Sequence, residues 1–122
     1  MDQDLNFQHT MAFASSAKTS YFQVPYRCTL REVSGIVQGD PGDDKTVTVT
    51  NEPTVGGTAS TLGVLTFGEE ITAGAVGAWA ADAAEGATVM EKGEFIKFVT
   101  SVGADAVLNM NIELDPYART AV

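Results

Sequence analysis

The chain is poor in the side chains from which active sites and metal centres are most often built. Its 122 residues include one cysteine, Cys28, and one histidine, His9. A single cysteine excludes an intramolecular disulfide, and a lone histidine lacks the companions of a zinc site. A Ser-His-Asp arrangement needs a well-positioned base, whereas His9 lies in a polar segment. We expect no enzyme activity and no cofactor, with Cys28 serving as a small buried hydrophobic residue.

Positive charge is also scarce, since 7 lysines and arginines face 16 aspartates and glutamates and the formal net charge is −9. Nucleic-acid phosphates and anionic membrane surfaces both repel such a chain. No segment approaches the roughly 18 continuous apolar residues of a membrane span. The acidic residues near Met1 resemble neither a signal nor a transit peptide. We expect neither nucleic acid nor membrane among the partners, and synthesis in a cytoplasm.

Three aspartates surround a Pro-Gly pair in the segment from 38 to 44. Asp40, Asp43 and Asp44 could offer oxygen ligands to a hard cation, but they lack the spacing and the closing glutamate of an EF-hand loop. Aspartates next to Pro-Gly are also common in turns. A turn is the preferred interpretation, and cation binding stays open.

Short apolar segments separated by glycine-containing turns indicate an all-β chain. In the last segment the apolar residues occupy alternate, even-numbered positions, which predicts a strand with one face in the core and one face exposed to solvent. Residues 46 to 50 alternate threonine with valine, and residues 95 to 100 are apolar on both faces, as in a central strand. Seven or eight such strands predict an antiparallel β-sandwich, jelly-roll-like with Greek-key connections. The apolar set of the last segment is Ala106, Leu108, Met110, Ile112 and Leu114.

In the segment from 21 to 38 the apolar residues change from even-numbered to odd-numbered positions. Cys28 and Leu30 share one face, whereas Val33 and Val37 have the opposite parity. Because alternate side chains of a strand must keep pointing inward, a change of parity predicts a β-bulge or a bend.

Two segments permit more than one interpretation. Residues 1–20 are an N-terminal arm or an edge strand, and residues 21–122 form the β-sandwich domain. Leu5, Phe7, Met11 and Phe13 share odd parity, so this apolar stripe could contact another subunit or could be the first strand of the chain's own sandwich. The alanine-rich residues 71–86 have helical spacing at Val76, Trp79, Ala80 and Ala83, whereas Gly74 and Gly77 disfavour a helix. They predict an extended or irregular connection with at most one helical turn.

A resemblance to a known group of proteins adds to this interpretation. The stretch from Val24 to Val33 has a "Val-Pro-Tyr … Thr-Leu-x-x-Val" pattern. A Thr-Val repeat, a Gly-Gly loop, a strand from 62 to 66, the segment from 92 to 101 and an amphipathic last strand follow in order. Over about residues 21–115 this order resembles the capsid decoration, cement and head-fibre proteins of tailed bacteriophages. Residues 1–20 have no counterpart.

The resemblance implies a structural virion protein on the outside of a phage head, without enzyme activity or cofactor. Its partners would be the major capsid protein and other copies of itself, most often in a homotrimer. The alternative is a receptor- or carbohydrate-binding module of a phage fibre or tail. That function would need exposed aromatic rings, for which Tyr21, Phe22, Tyr26 and Trp79 are the candidates. A small hydrolase is disfavoured by the lone histidine.

Overall fold

A computed structural model of the chain shows two antiparallel sheets packed face to face. The structure describes residues 5–39, 42, 44–68, 76–81 and 89–116, and this part of the chain contains no helix and therefore none that could cross a membrane. The strands are β1 (Leu5–Phe13), β2 (Thr19–Gln23), β3 (Cys28–Val37), β4 (Lys45–Glu52), β5 (Ser60–Phe67), β6 (Ala78–Ala81), β7 (Val89–Met90), β8 (Phe95–Thr100) and β9 (Ala106–Pro116). The predicted antiparallel β-sandwich is confirmed.

The two sheets follow from one nested pattern of pairing. Sheet A has the order β1-β9-β3-β7 and sheet B the order β2-β8-β4-β5-β6. The first and last strands pair with each other, as do β2 with β8, β3 with β7 and β4 with β5. The chain is thus a long two-stranded ribbon, which is wrapped so that β9 joins β3 and β8 joins β4. This is the connectivity of a jelly roll, with β6 added beyond β5.

The core lies between the inner faces of the sheets, where the period of two places alternate side chains. On β9 all five residues of the predicted apolar set are buried, from Ala106 at 7% exposed to Leu114 at 0%. Val47 and Val49 of β4 and Ile96 and Phe98 of β8 face them, each at 0% exposed. Since β8 lies between β2 and β4, its predicted central position is also confirmed.

The predicted parity change in β3 is confirmed as a β-bulge. The register of β3 against β9 shifts between Leu30 and Glu32, so Arg31 is the extra residue. The bulge lets Leu30 before it and Val33 after it both face the core, at 8% and 0% exposed. Cys28 is fully buried, as expected.

The described part of the alanine-rich segment, residues 76–81, is extended and contains a strand rather than a helical turn. Ala78–Ala81 pairs with β5, and its Trp79 lies over Gly63. A Cβ added to Gly63 would lie 2.5 Å from Cη2 of the indole and 2.6 Å from the carbonyl oxygen of Ala80. Gly63 therefore makes room for the indole, and pairing with β5 overrides the helical spacing of the segment. Residues 71–75 and 82–88 lie outside the described residues.

Glu52, at the end of β4, is buried although it is charged. It is 1% exposed, and its Oε1 accepts a hydrogen bond from the backbone N–H of Gly56. Its Oε2 lies 3.4 Å from Nζ of Lys97 on the neighbouring β8. Because one oxygen holds the loop after β4 and the other neutralises a lysine, the carboxylate fixes the loop against the outer side of sheet B.

Substitutions on the two faces of β9 should differ sharply in their effect. Ile112→Asp buries an unpaired charge in the core and should destabilise the fold by more than about 4 kcal/mol, enough to prevent folding. Asn111→Asp on the outer face should cost less than about 1 kcal/mol, the worth of one side-chain hydrogen bond. Urea denaturation followed by circular dichroism measures both. Equal tolerance at the two positions would contradict the assignment of the faces.

Candidate binding surfaces

The thiol of Cys28 lies inside the sandwich and is chemically protected. Cys28 pairs with Met90 on one side and Pro116 on the other. Burial raises the pKa of the Cys28 thiol to about 12, and the negative charges of Asp115, Glu91 and Glu94 add to the shift. Because the thiolate is the reactive form, this side chain is a packing residue rather than a nucleophile.

The imidazole of His9 is inserted between the two sheets. It stacks on Phe98 with ring centroids 4.8 Å apart, and its Nε2 lies 2.7 Å from Oγ of Ser20. The Ser20 hydroxyl also lies 3.5 Å from Sδ of Met11. Which of the two groups, imidazole or hydroxyl, donates in the 2.7 Å bond depends on the tautomer of His9. Burial lowers the pKa of His9 below 6.5, which favours the neutral ring.

The described residues contain no cluster of three or more histidine, cysteine, aspartate or glutamate side chains that could hold a metal ion. Of the three aspartates in the predicted turn, Asp40 and Asp43 lie outside the described residues. Asp44 directly precedes β4 and has a φ of 54°. The structure therefore does not test whether the turn binds a cation.

Three of the four candidate sugar-stacking aromatics are packed into the fold. Phe22, Tyr26 and Trp79 are partly buried and lie against the core. Tyr21 is 36% exposed on β2, with its ring centroid 6.0 Å from that of Phe95. These four rings do not form a shared exposed platform on which a sugar could stack.

The N-terminal apolar stripe belongs to the sandwich. Residues 5–13 form β1, the edge strand of sheet A, and pair with β9 at every position from Leu5 to Phe13. Phe13 is 0% exposed, and Phe7 and Met11 pack against the core, whereas Leu5 is 43% exposed. The edge-strand alternative therefore describes this segment. A contact made by all four side chains with another subunit would require β1 to leave its own sheet.

The outer face of sheet B is broad and nearly free of charge. Cross-strand pairing places Thr19, Val99, Thr48, Val64 and Ala80 side by side over five strands. Thr46, Thr66 and Ala78 form a second, shorter row on the same side. We call the two rows together the threonine face: Thr19, Thr46, Thr48, Val64, Thr66, Ala78, Ala80 and Val99. In the described part of sheet B the charged side chains on this side are Glu52 and Lys97, which neutralise each other.

The outer face of sheet A carries a ladder of hydrogen-bonded amides. Gln8 Nε2 donates to Asn111 Oδ1 at 3.0 Å, and Asn111 Nδ2 donates to Asn6 Oδ1 at 3.0 Å. Thr10 Oγ1 donates to Asn109 Oδ1 at 3.2 Å. These bonds join β1 to β9. A shallow depression of about 310 Å³ lies beside the ladder, bordered by Ser34, Ile36 and Val76.

A second depression, of about 360 Å³, lies where β1, β3 and β9 meet their loops. It is lined by small side chains and backbone around Ala14, Gly39 and Ala106, with Asp105 as its one charged residue. It lacks the converging polar groups that position a substrate.

Sequence reasoning found one strand of the threonine face and missed the rest. The alternation from Thr46 to Thr50 is visible in the sequence, whereas Thr19, Thr66 and Val99 belong to three other strands. Only strand order and register bring these side chains together, so no local pattern could indicate the face.

No protein-family model matches the chain, and a search of curated proteins finds no significant match. The function of the chain is therefore inferred from its sequence pattern, its fold and its surfaces.

The burial of Cys28 predicts a thiol that reacts only after unfolding. With a pKa of about 12 and no exposed surface, the native protein should not react with Ellman's reagent at mildly alkaline pH. In denaturing urea one thiol per chain should react at once. Rapid stoichiometric labelling of the native protein would contradict the described packing of β3.

The lowered pKa of His9 predicts a loss of stability in mild acid. The unfolded chain takes up a proton near pH 6.5, whereas the folded chain resists it, so stability present above pH 6.5 is lost as the pH falls towards the folded pKa. The urea midpoint of the native chain should fall between about pH 7.5 and about pH 5.5 more steeply than that of His9→Gln, which does not titrate. Parallel curves would show that His9 is not desolvated.

Proposed function

We propose that this protein is a non-catalytic structural subunit that decorates the outside of a tailed-phage head and stabilises it, with the major capsid protein as its partner. The proposal combines the resemblance of residues 21–115 to decoration proteins with the jelly-roll sandwich, a fold that viral capsid proteins share with several unrelated groups. It includes the homotrimer implied by that resemblance.

The observation that carries the proposal is the threonine face. In a chain of net charge −9, the described part of a five-stranded face has its only two charges paired with each other. Burying charged groups against a partner costs free energy, and isolated acidic groups would also repel an acidic surface. Threonine offers a methyl group for packing and a hydroxyl for hydrogen bonds, so such a face suits contact with another protein.

The size of the face fits a weak contact that is repeated many times. Five strands at the usual spacing and two rows of side chains cover roughly 300 Å². A stable interface between two proteins buries about 800 Å² on each side, so one threonine face alone would hold weakly. Several faces in one oligomer would bind a repetitive shell with avidity. Binding only to the assembled shell would then stabilise it by mass action.

Carbohydrate binding on a fibre or tail receives less support. The indole of Trp79, one of the aromatic rings that this function would need exposed, is partly buried against the core. The amides of the outer face of sheet A bond to one another. We therefore favour a protein partner.

The test measures binding to phage heads prepared without this protein. The wild-type chain should co-sediment with heads at a saturating ratio and raise their resistance to heat. Thr48→Lys, at the centre of the threonine face, should weaken binding at least about tenfold, or about 1.4 kcal/mol. Circular dichroism checks that the variant is folded.

Ser34→Lys is the matched control, because it adds the same charge at a half-buried position on β3, a central strand of the other sheet, and removes no bond of the amide ladder. It should bind heads as the wild type does. Loss of binding by the control alone would move the contact to sheet A. If the wild-type protein does not bind heads but binds a glycan, the carbohydrate-binding alternative replaces the proposal.

A further inference from the structure

The free edge of β1 has none of the features that prevent edge strands from pairing. Its nine residues from Leu5 to Phe13 contain no proline, no glycine and no aspartate, glutamate, lysine or arginine. Its register against β9 runs without a bulge. In the part of the chain that the structure describes, no strand pairs with its other side. Natural sheets protect such edges with charge, proline, bulges or short length.

The other three edges differ from β1 in length. The edge strands β2, β6 and β7 have five, four and two residues. Lys18 directly precedes β2, and Glu91 directly follows β7. Short edges offer few backbone groups to a partner, so β1 is the edge that can form a long ladder.

The amide ladder holds β1 in a form suited to pairing. The bonds from Gln8 to Asn111, from Asn111 to Asn6 and from Thr10 to Asn109 join side chains of the edge strand to those of its inner neighbour. On the other face of β1, the side chains of Phe7, Met11 and Phe13 pack in or against the core. Because both of its faces are held, β1 stays in its own sheet. The backbone N–H and C=O groups that point away from β9 are then available to a partner strand.

We propose that the β1 edge pairs with an edge strand of a second copy of this chain. Two copies of net charge −9 repel each other, so they should meet where neither carries a charge. β1 supplies the longest such edge, and backbone hydrogen bonds need no charged partner. This inference rests on the self-association included in the proposed function, for which it names the contact, and it does not depend on binding to a phage head.

The test compares two lysine substitutions in one row of sheet A. Thr10→Lys places a charge on the edge strand, whereas Asn109→Lys places it on the inner neighbour that pairs with Thr10. Both remove the same side-chain hydrogen bond, so stability should change alike. Light scattering should show an oligomer for the wild type and for Asn109→Lys, and a monomer for Thr10→Lys. Circular dichroism confirms that both variants are folded.

Hydrogen exchange at single amides supplies a second readout. Alternate amides of β1 point away from β9 and should be protected in the wild type only at concentrations where the oligomer forms. In Thr10→Lys they should exchange at least tenfold faster. A dimer would indicate β1 against β1, and a trimer would indicate β1 against a different edge.

Three results would overturn the inference. They are a monomeric wild type at high concentration, an oligomer that Thr10→Lys leaves intact, and β1 amides that gain protection only when phage heads are added. The last would assign the edge to a capsid subunit. A monomeric wild type would also remove the homotrimer from the proposed function, whereas head binding that Thr48→Lys abolishes would still support decoration through the threonine face. Head binding and contact between copies are thus tested by different variants.

Discussion

The row of apolar side chains on β9 is the interaction on which the rest of the structure depends. β9 lies between β1 and β3. The even-numbered residues of β9 from Leu108 to Leu114 are at most 1% exposed. It therefore joins two early segments of the chain in one sheet and supplies a large part of the core. Without it β1 would have no neighbour among the described strands, and β3 would keep its two pairs with β7 and its single bridge from Ile36 to Val76.

The distribution of charge gives this sandwich its distinct surfaces. Much of the charge lies on loops and on one end of sheet A, where Arg31 and Glu113 are paired. The threonine face and β1 carry no charge of their own. For a strongly acidic protein this matters, because repulsion keeps copies apart except where uncharged surfaces can meet. The two proposed contacts use different surfaces, one for a shell and one for another copy.

Several local features are adjustments to the neighbouring strands. Gly63 makes room for Trp79, and Glu52 holds the loop after β4 while it pairs with Lys97. His9 occupies an inward position of an edge strand, where Phe98 and Ser20 surround it. Each is a polar or small residue at a buried or half-buried position, and each is explained by a contact with a residue on another strand.

The period of two, visible in the sequence alone, determined much of the fold. It set the buried face of β9, the half-buried β4 and the bulge in β3, because inward and outward side chains alternate within a single strand. It indicated the apolar stripe of β1 as well, but left open whether its partner was another subunit.

The tertiary structure decided what depends on strands far apart in sequence. It placed β1 beside β9, turned part of the alanine-rich segment into β6, and aligned Thr19, Thr48 and Val64 on one face. It also brought His9 to Ser20, against a strand from the other end of the chain. The physical reason is that strand order and register are set by long-range pairing and core packing, which no single segment records.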